Sequence, residues 1–219
     1  DVCSSDLLAG YDPIEMRTGW RHAWDPQTQH VIEFAAAPND HYMHHASVSF
    51  VCDVATGLEA LGRSVQLGSV WEEGRPEKVK TTLAGAFGQN ERWGPAAIVQ
   101  TVRAGLPRNA VATVDSGAHR ILLSQLWQCY EPRGLLQSTG LCTMGCALPL
   151  AIGAKLAAPD RPVVCFTGDA GLEMILGELS TLRDLELAVP VVVFVDRSLA
   201  LIELKQRGRG LDKIGRAHV

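Results

Sequence analysis

Two acidic residues, each just beyond a short apolar run, constrain this chain most. Asp169 lies in Thr167-Gly168-Asp169-Ala170-Gly171, and Asp196 in Phe194-Val195-Asp196-Arg197-Ser198. The runs before them, 163–166 and 191–195, do not alternate in polarity, and the stretch between, 172–185, has helical character. Strand, helix and strand in that order form a right-handed parallel crossover, which delivers both strand ends and both carboxylates to one edge of one sheet. In an open parallel sheet that carboxyl edge is where ligands bind. The Gly-Asp-Ala-Gly turn offers backbone N–H groups and a helix start to an anion. Hard oxygen ligands beside a phosphate cradle hold Mg²⁺ through the phosphates it bridges. The pair therefore marks a candidate diphosphate and magnesium site.

The same pattern extends upstream. From Gly94 the sequence predicts a helix over 95–106 opened by Pro95, a strand over 110–114, and a helix over 118–129 with Ile121, Leu122, Gln125 and Leu126 on one face. A strand over 135–137 and a helix over 147–157 follow. Short apolar runs separated by helices make a parallel sheet covered on both faces. The fold class is accordingly α/β, a doubly wound parallel sheet. Ahead of it, strands over 7–9, 30–34 and 47–51 and a short helix over 54–61 predict a truncated α/β remnant, and the charged, Gly-bearing stretch 63–90 reads as a connection. The expected domains are 8–63, a linker over 64–93, and 94–212. Segments 1–7 and 214–219 are expected to be non-native ends, with the chain a fragment truncated on its C-terminal side.

Gly168-Asp169-Ala170 followed by Asp196 resembles the thiamine-diphosphate (ThDP) signature: Gly-Asp-Gly, a spacer, and an Asn or Asp. Gly140-Leu141-Cys142-Thr143-Met144-Gly145-Cys146-Ala147-Leu148-Pro149, continuing through Lys155, resembles the "GLGTMGxxLPxAIGA" stretch of acetolactate synthases and related 2-oxoacid decarboxylases. Val114-Asp115-Ser116-Gly117-Ala118-His119 resembles the first strand and loop of that family's diphosphate domain. Gly10-Tyr11-Asp12-Pro13-Ile14-Glu15 resembles a "GYxPVE" strand end in its central domain. The chain is similar to this family over roughly 8–206, with the motifs in the family's order.

The resemblance implies a ThDP-binding fold in 94–212, a central-domain remnant in 8–63, and ThDP and Mg²⁺ as cofactors. FAD is left open, because some relatives hold it on the central domain. The implied activity is decarboxylation of a small-molecule 2-oxoacid and transfer of the acyl-anion equivalent to a second carbonyl, in a homodimeric or homotetrameric full-length parent. Carried over by position, Asp169, Asp196 and the backbone carbonyl of Ser198 are the metal ligands. Gly117, His119, Gly168, Ala170 and Gly171 face the cofactor. Met144 wedges beneath it to force a bent shape, and the carbonyl of Cys142 accepts from its 4′-amino group. The activating Glu of the family lies on a pyrimidine-binding domain that this chain lacks, so no catalytic residue is assigned. Three departures stand out: Ala170 replaces the usual third Gly, which is mild if its φ is negative; Val195 stands where many members have the first Asn of an Asn-Asn pair; and Cys52-Asp53 replaces Gly-Asp.

Hydrophobic content of 47% with 20% charged residues supports a real core. Net charge −4 without a long basic run argues against a nucleic-acid partner, and no apolar stretch is long enough for a membrane span. The six cysteines show no paired zinc spacing and are expected to be buried free thiols. With no secretory signal after Asp1, a cytoplasmic location is expected. The cluster His41, His44 and His45 is expected to be solvated, and Arg120 a helix-start cation. Glu15 is given a local cap or pair. A dinucleotide-binding oxidoreductase domain would need Gly-x-Gly-x-x-Gly after a strand, which does not occur, and a Walker A loop is also absent. A non-catalytic paralogue would be favoured by loss of Asp169 or Asp196, and both are present.

Overall fold

The computed structural model describes residues 5–11, 24–25, 27–38, 44–65, 74–87, 92–139 and 141–212. The chain divides into two compact units, Asp1–Glu73 and Gly74–Val219.

The first unit holds three parallel strands in sequence order, β1 (Ser5–Ala9), β2 (His30–Ala35) and β3 (Val48–Val51), followed by helix α1 (Val54–Ser64). β2 is the central strand and buries Val31, Glu33 and Phe34, whereas every residue of β3 is exposed. The buried Glu33 carboxylate accepts the Ser49 hydroxyl, which compensates its loss of water. Phe34 stacks on Phe50 at 5.3 Å. Helix α1 approaches β2 through Gly57, where a Cβ would stand 2.5 Å from the Phe34 ring. Asp53 caps α1 by accepting the Thr56 N–H at 2.9 Å.

The second unit begins with α2 (Arg75–Ala86), a helix with no buried residue in the stretch read as a connection. Then come α3 (Pro95–Gly105), β4 (Val111–Val114), α4 (Ala118–Leu126), β5 (Leu135–Gln137), α5 (Ala147–Ala157) and β6 (Val163–Gly168). After β6 follow α6 (Asp169–Glu173), α7 (Glu178–Asp184), β7 (Val191–Phe194) and α8 (Ala200–Arg207). All pairings are parallel, in the order β5-β4-β6-β7. Successive residues of the central strands face opposite sides. Ala112, Val114, Val164 and Phe166 pack with Val99, Leu123 and Trp127, while Val111, Val163 and Cys165 pack with Ala147, Leu148, Ala151 and Ile152. Two apolar clusters on the two faces of one parallel sheet are the doubly wound α/β arrangement.

One expected element divides. The single helix expected over 172–185 is two short ones, because backbone bonds at Ile175, Glu178, Leu179 and Ser180 run to the residue three back rather than four. Gly177, a poor helix former, sits inside that tightened turn. Of the cysteines, the described ones are all free, yet only Cys165 is buried and Cys129 is exposed, so burial was the wrong expectation for most. Among the described residues no helix is long and apolar enough to cross a membrane.

Candidate functional site

From β4 the chain moves to β5 on one side, and from β6 to β7 on the other. The connections therefore diverge between the carboxyl ends of β4 and β6, which opens the crevice where ligands bind in such sheets. Asp115 directly follows β4, Asp169 directly follows β6, and Asp196 lies just past β7. Gly168 pairs with Phe194 in the register of β6 and β7, so Asp169 and Asp196 emerge at the same edge of hydrogen-bonded neighbours. That is the placement the spacing predicted.

Local geometry explains each position. Ala170 lies within α6 and is not among the residues with positive φ, so its methyl is accommodated where a Gly was expected. Gly171 is buried, and a Cβ there would stand 2.2 Å from the Asp115 carboxylate. Gly117 has the same necessity, since a Cβ would fall 2.4 Å from the His119 ring; at Gly168 the corresponding distance is 3.3 Å. Cys142 adopts a left-handed φ of 51°, and its carbonyl accepts the Ser116 hydroxyl. Arg197, next to Asp196, is also left-handed at 56°. Non-glycine residues in that region carry strain, which concentrates at functional sites. Met144 is half-buried beside Gly145, whose own φ is +77°. The Asp169 carboxylate accepts its neighbour Ala170's N–H at 2.9 Å, and the exposed Asp196 accepts the Ser198 N–H at 2.9 Å. The Ser198 hydroxyl donates to Glu203.

His119 joins these pieces. Its ring stacks on Phe194 at 5.7 Å and touches the position of Gly168. Burial pushes its imidazole below the ordinary pKa, against the pull of Asp115, Asp196 and Asp169. Its Nε2 is buried without a hydrogen-bond partner. A buried ring nitrogen without a hydrogen-bond partner, in the field of Asp115, Asp196 and Asp169, fits a missing polar group. The donors are hard oxygens, the type that binds Mg²⁺. Among the described residues no group of three or more His, Cys, Asp or Glu forms a metal cage. Asp169, Asp196 and the Ser198 carbonyl would be the groups to hold such an ion, with the remaining ligands supplied from outside the protein.

Two expectations change. His44 is buried, not solvated: it shares a 2.7 Å hydrogen bond with the Tyr11 hydroxyl and lies 4.9 Å from the Trp24 ring, a packed aromatic group in the first unit. Arg120 is also buried and donates to Gln137 at 3.2 Å. His41, Glu15 and Gly140 lie outside the described residues. The residue that sequence reasoning passed over is Asp115, fully buried and bonded to Thr167 and to the start of α5. Its signal was available as an acid immediately after a largely apolar strand, the position that Asp169 also occupies.

A parallel sheet with acids at a switch point and a histidine whose Nε2 lacks a hydrogen-bond partner defines a ligand-binding class of α/β domain. Residues 115–216 match the family described as "Thiamine pyrophosphate enzyme, C-terminal TPP binding domain". That stretch belongs to the thiamine-diphosphate-dependent enzyme family, and the chain is similar to acetolactate synthases. It is 39% identical to acetolactate synthase isozyme 1 large subunit of Escherichia coli (strain K12) over 109 residues, 50% of this chain and 19% of that protein. To acetolactate synthase of Bacillus subtilis (strain 168) it is 28% identical over 210 residues, 91% of this chain and 36% of that protein. The chain thus spans at most about a third of the length of these relatives.

Proposed function

We propose that this chain is the diphosphate-binding part, with a central-domain remnant over 8–63, of a longer cytoplasmic ThDP- and Mg²⁺-dependent 2-oxoacid decarboxylase and carboligase. In this reading Asp169, Asp196 and the Ser198 carbonyl hold Mg²⁺. Gly117, His119, Gly168, Ala170 and Gly171 line the diphosphate, Met144 supports the bent cofactor, and the Cys142 carbonyl accepts from its amino group. The observation that supports it best is the emergence of Asp169 and Asp196 at one edge of paired strands, beside the orphaned Nε2 of His119.

When bound, ThDP supplies a carbon nucleophile and an electron sink for the carbanion left by CO₂ loss. The side chains of this chain do the rest by binding and orientation. Asp169 and Asp196 offset the metal's charge, and the 168–171 turn presents N–H groups to phosphate oxygens. His119, whose imidazole burial pushes below its ordinary pKa, would present its unpartnered ring nitrogen to the diphosphate. The substrate would be a small 2-oxoacid, and the full-length protein a homodimer or homotetramer whose sites draw an activating Glu from another domain.

Assaying CO₂ release from pyruvate with ThDP and Mg²⁺ tests the proposal. The full-length protein should turn over and the 219-residue chain alone should not. Robust turnover by the chain alone, or none by the full-length protein with any 2-oxoacid, would overturn it.

A further inference from the structure

Asp115 is a fully buried carboxylate in the crevice between β4 and β6. Its Oδ1 accepts the N–H of Cys146 at 2.7 Å and of Ala147 at 3.1 Å, at the start of α5. Its Oδ2 accepts the Thr167 hydroxyl at 2.8 Å. An unpaired buried carboxylate would be strongly unfavourable; here two amide donors, a hydroxyl and a helix start compensate it. These partners belong to different pieces of the site. Cys146 directly follows the loop that carries Cys142 and Met144, and Thr167 directly precedes Gly168 and Asp169. Gly171 closes over the carboxylate, with room for no side chain. The same two pieces also meet directly, since a Cβ on Gly145 would stand 2.9 Å from Ile175 and 3.6 Å from the Gly171 carbonyl.

We infer that Asp115 is a positioning residue, a buried carboxylate that fixes the spacing between the two halves of the site: the 142–144 loop and the 168–171 turn. One half carries the groups proposed to shape the cofactor, the other the groups proposed to anchor it. The tether follows from the hydrogen bonds alone; its consequence for cofactor binding rests on the function proposed above.

Two substitutions separate the tether from mere bulk. Asp115→Asn keeps an oxygen for both amides, while the Thr167 hydroxyl can turn to the Gly168 carbonyl, 3.2 Å away. Asp115→Ala leaves two buried N–H groups and the hydroxyl without their acceptor. Amide hydrogen exchange on the 219-residue chain without ligand reads the result. In Asp115→Ala, segments 142–147 and 167–171 should lose protection together by at least about tenfold, with β2 unchanged. Asp115→Asn should stay within about threefold of wild type, as its acceptor is kept. Wild-type protection in Asp115→Ala, or loosening of one segment only, overturns the inference. Should Asp115→Ala not fold, Gly171→Ala decides, because its methyl must displace the carboxylate from the Cys146 and Ala147 amides. Unchanged protection at those two amides then overturns it.

ThDP titration of the full-length protein at saturating Mg²⁺ adds a readout that stability alone would not move. Affinity should fall at least about tenfold in Asp115→Ala and recover in Asp115→Asn, tracking the tether. Undiminished affinity in a folded Asp115→Ala contradicts a positioning role. If the wild-type protein itself takes up no ThDP, the cofactor reading falls, and the exchange result still decides the tether.

Discussion

In the first unit the parallel strands follow sequence order, β1-β2-β3, whereas in the second β5 and β6 lie on opposite sides of β4. Each sheet has an acidic residue just beyond a strand end. In the first, the connections all step in one direction, and Asp53 beyond β3 is used as the N-cap of α1. In the second, the connections diverge and leave a crevice. One acid, Asp115, is buried in it as a structural tie, and two others, Asp169 and Asp196, are left at its rim. A parallel sheet supplies a ligand edge only where its winding reverses.

The sharpest way to break this comparison is to remove one polar residue from each unit. Asp169→Ala should weaken ThDP binding by about a hundredfold at saturating Mg²⁺, since losing a charged partner of the ion that the cofactor shares costs up to about 3 kcal/mol. His44→Ala, in the aromatic group of the first unit, should leave ThDP affinity unchanged. Calorimetric titration of both full-length variants measures the difference, and equal affinities would erase it.

Core truncations should show the same asymmetry in stability. Leu123 is fully buried between α4 and the sheet, so Leu123→Ala should destabilise the second unit by about 3 kcal/mol. Phe50 is 48% exposed on β3, and Phe50→Ala should cost less than about 1 kcal/mol. Urea unfolding followed by probes in each unit measures both.

A pH effect of intermediate size belongs to the second sheet. Burial pushes the Cys165 thiol from 9.0 up to about 12. The folded state then holds a proton that the unfolded chain releases. The contribution is complete below pH 9 and is lost as pH rises toward 12, at up to about 1.4 kcal/mol per pH unit. Cys165→Ala should flatten that alkaline slope in thermal melts; an unchanged slope would assign it to other groups.

The smallest effect lies at the exposed cap of the first unit. The Thr56 N–H, then the Thr56 hydroxyl, hold the Asp53 carboxyl below its ordinary pKa of 3.8. That stabilisation is present above pH 3.8 and disappears as pH falls through the lowered value. Asp53→Asn should therefore flatten the acid limb of unfolding for the first unit slightly, and leave the second unit unaffected.

The strands and the edge they share were legible because short unalternating apolar runs and intervening helices leave few alternatives. Asp169 and Asp196 were legible for the same reason: an acid just past an apolar strand must emerge at the carboxyl edge. Asp115 obeys that rule as well, but its role depends on Cys146 and Thr167, which only the folded sheet brings to it. The break at 174–177 was hidden because its apolar residues keep helical spacing while their hydrogen bonds tighten. His44 was misjudged for a related reason, since its burial comes from Tyr11 and Trp24, distant in sequence. Local pattern fixes elements and edges; long-range partners decide which polar residue is buried.

A crystal structure of the full-length protein grown with ThDP and Mg²⁺ tests the central claim most directly. One metal ion should lie between the carboxylates of Asp169 and Asp196, with ligand distances of about 2.0–2.1 Å, and with diphosphate oxygens completing its shell. Nε2 of His119 should gain a polar partner. Diphosphate bound elsewhere, or an ion that touches neither carboxylate, would contradict the account.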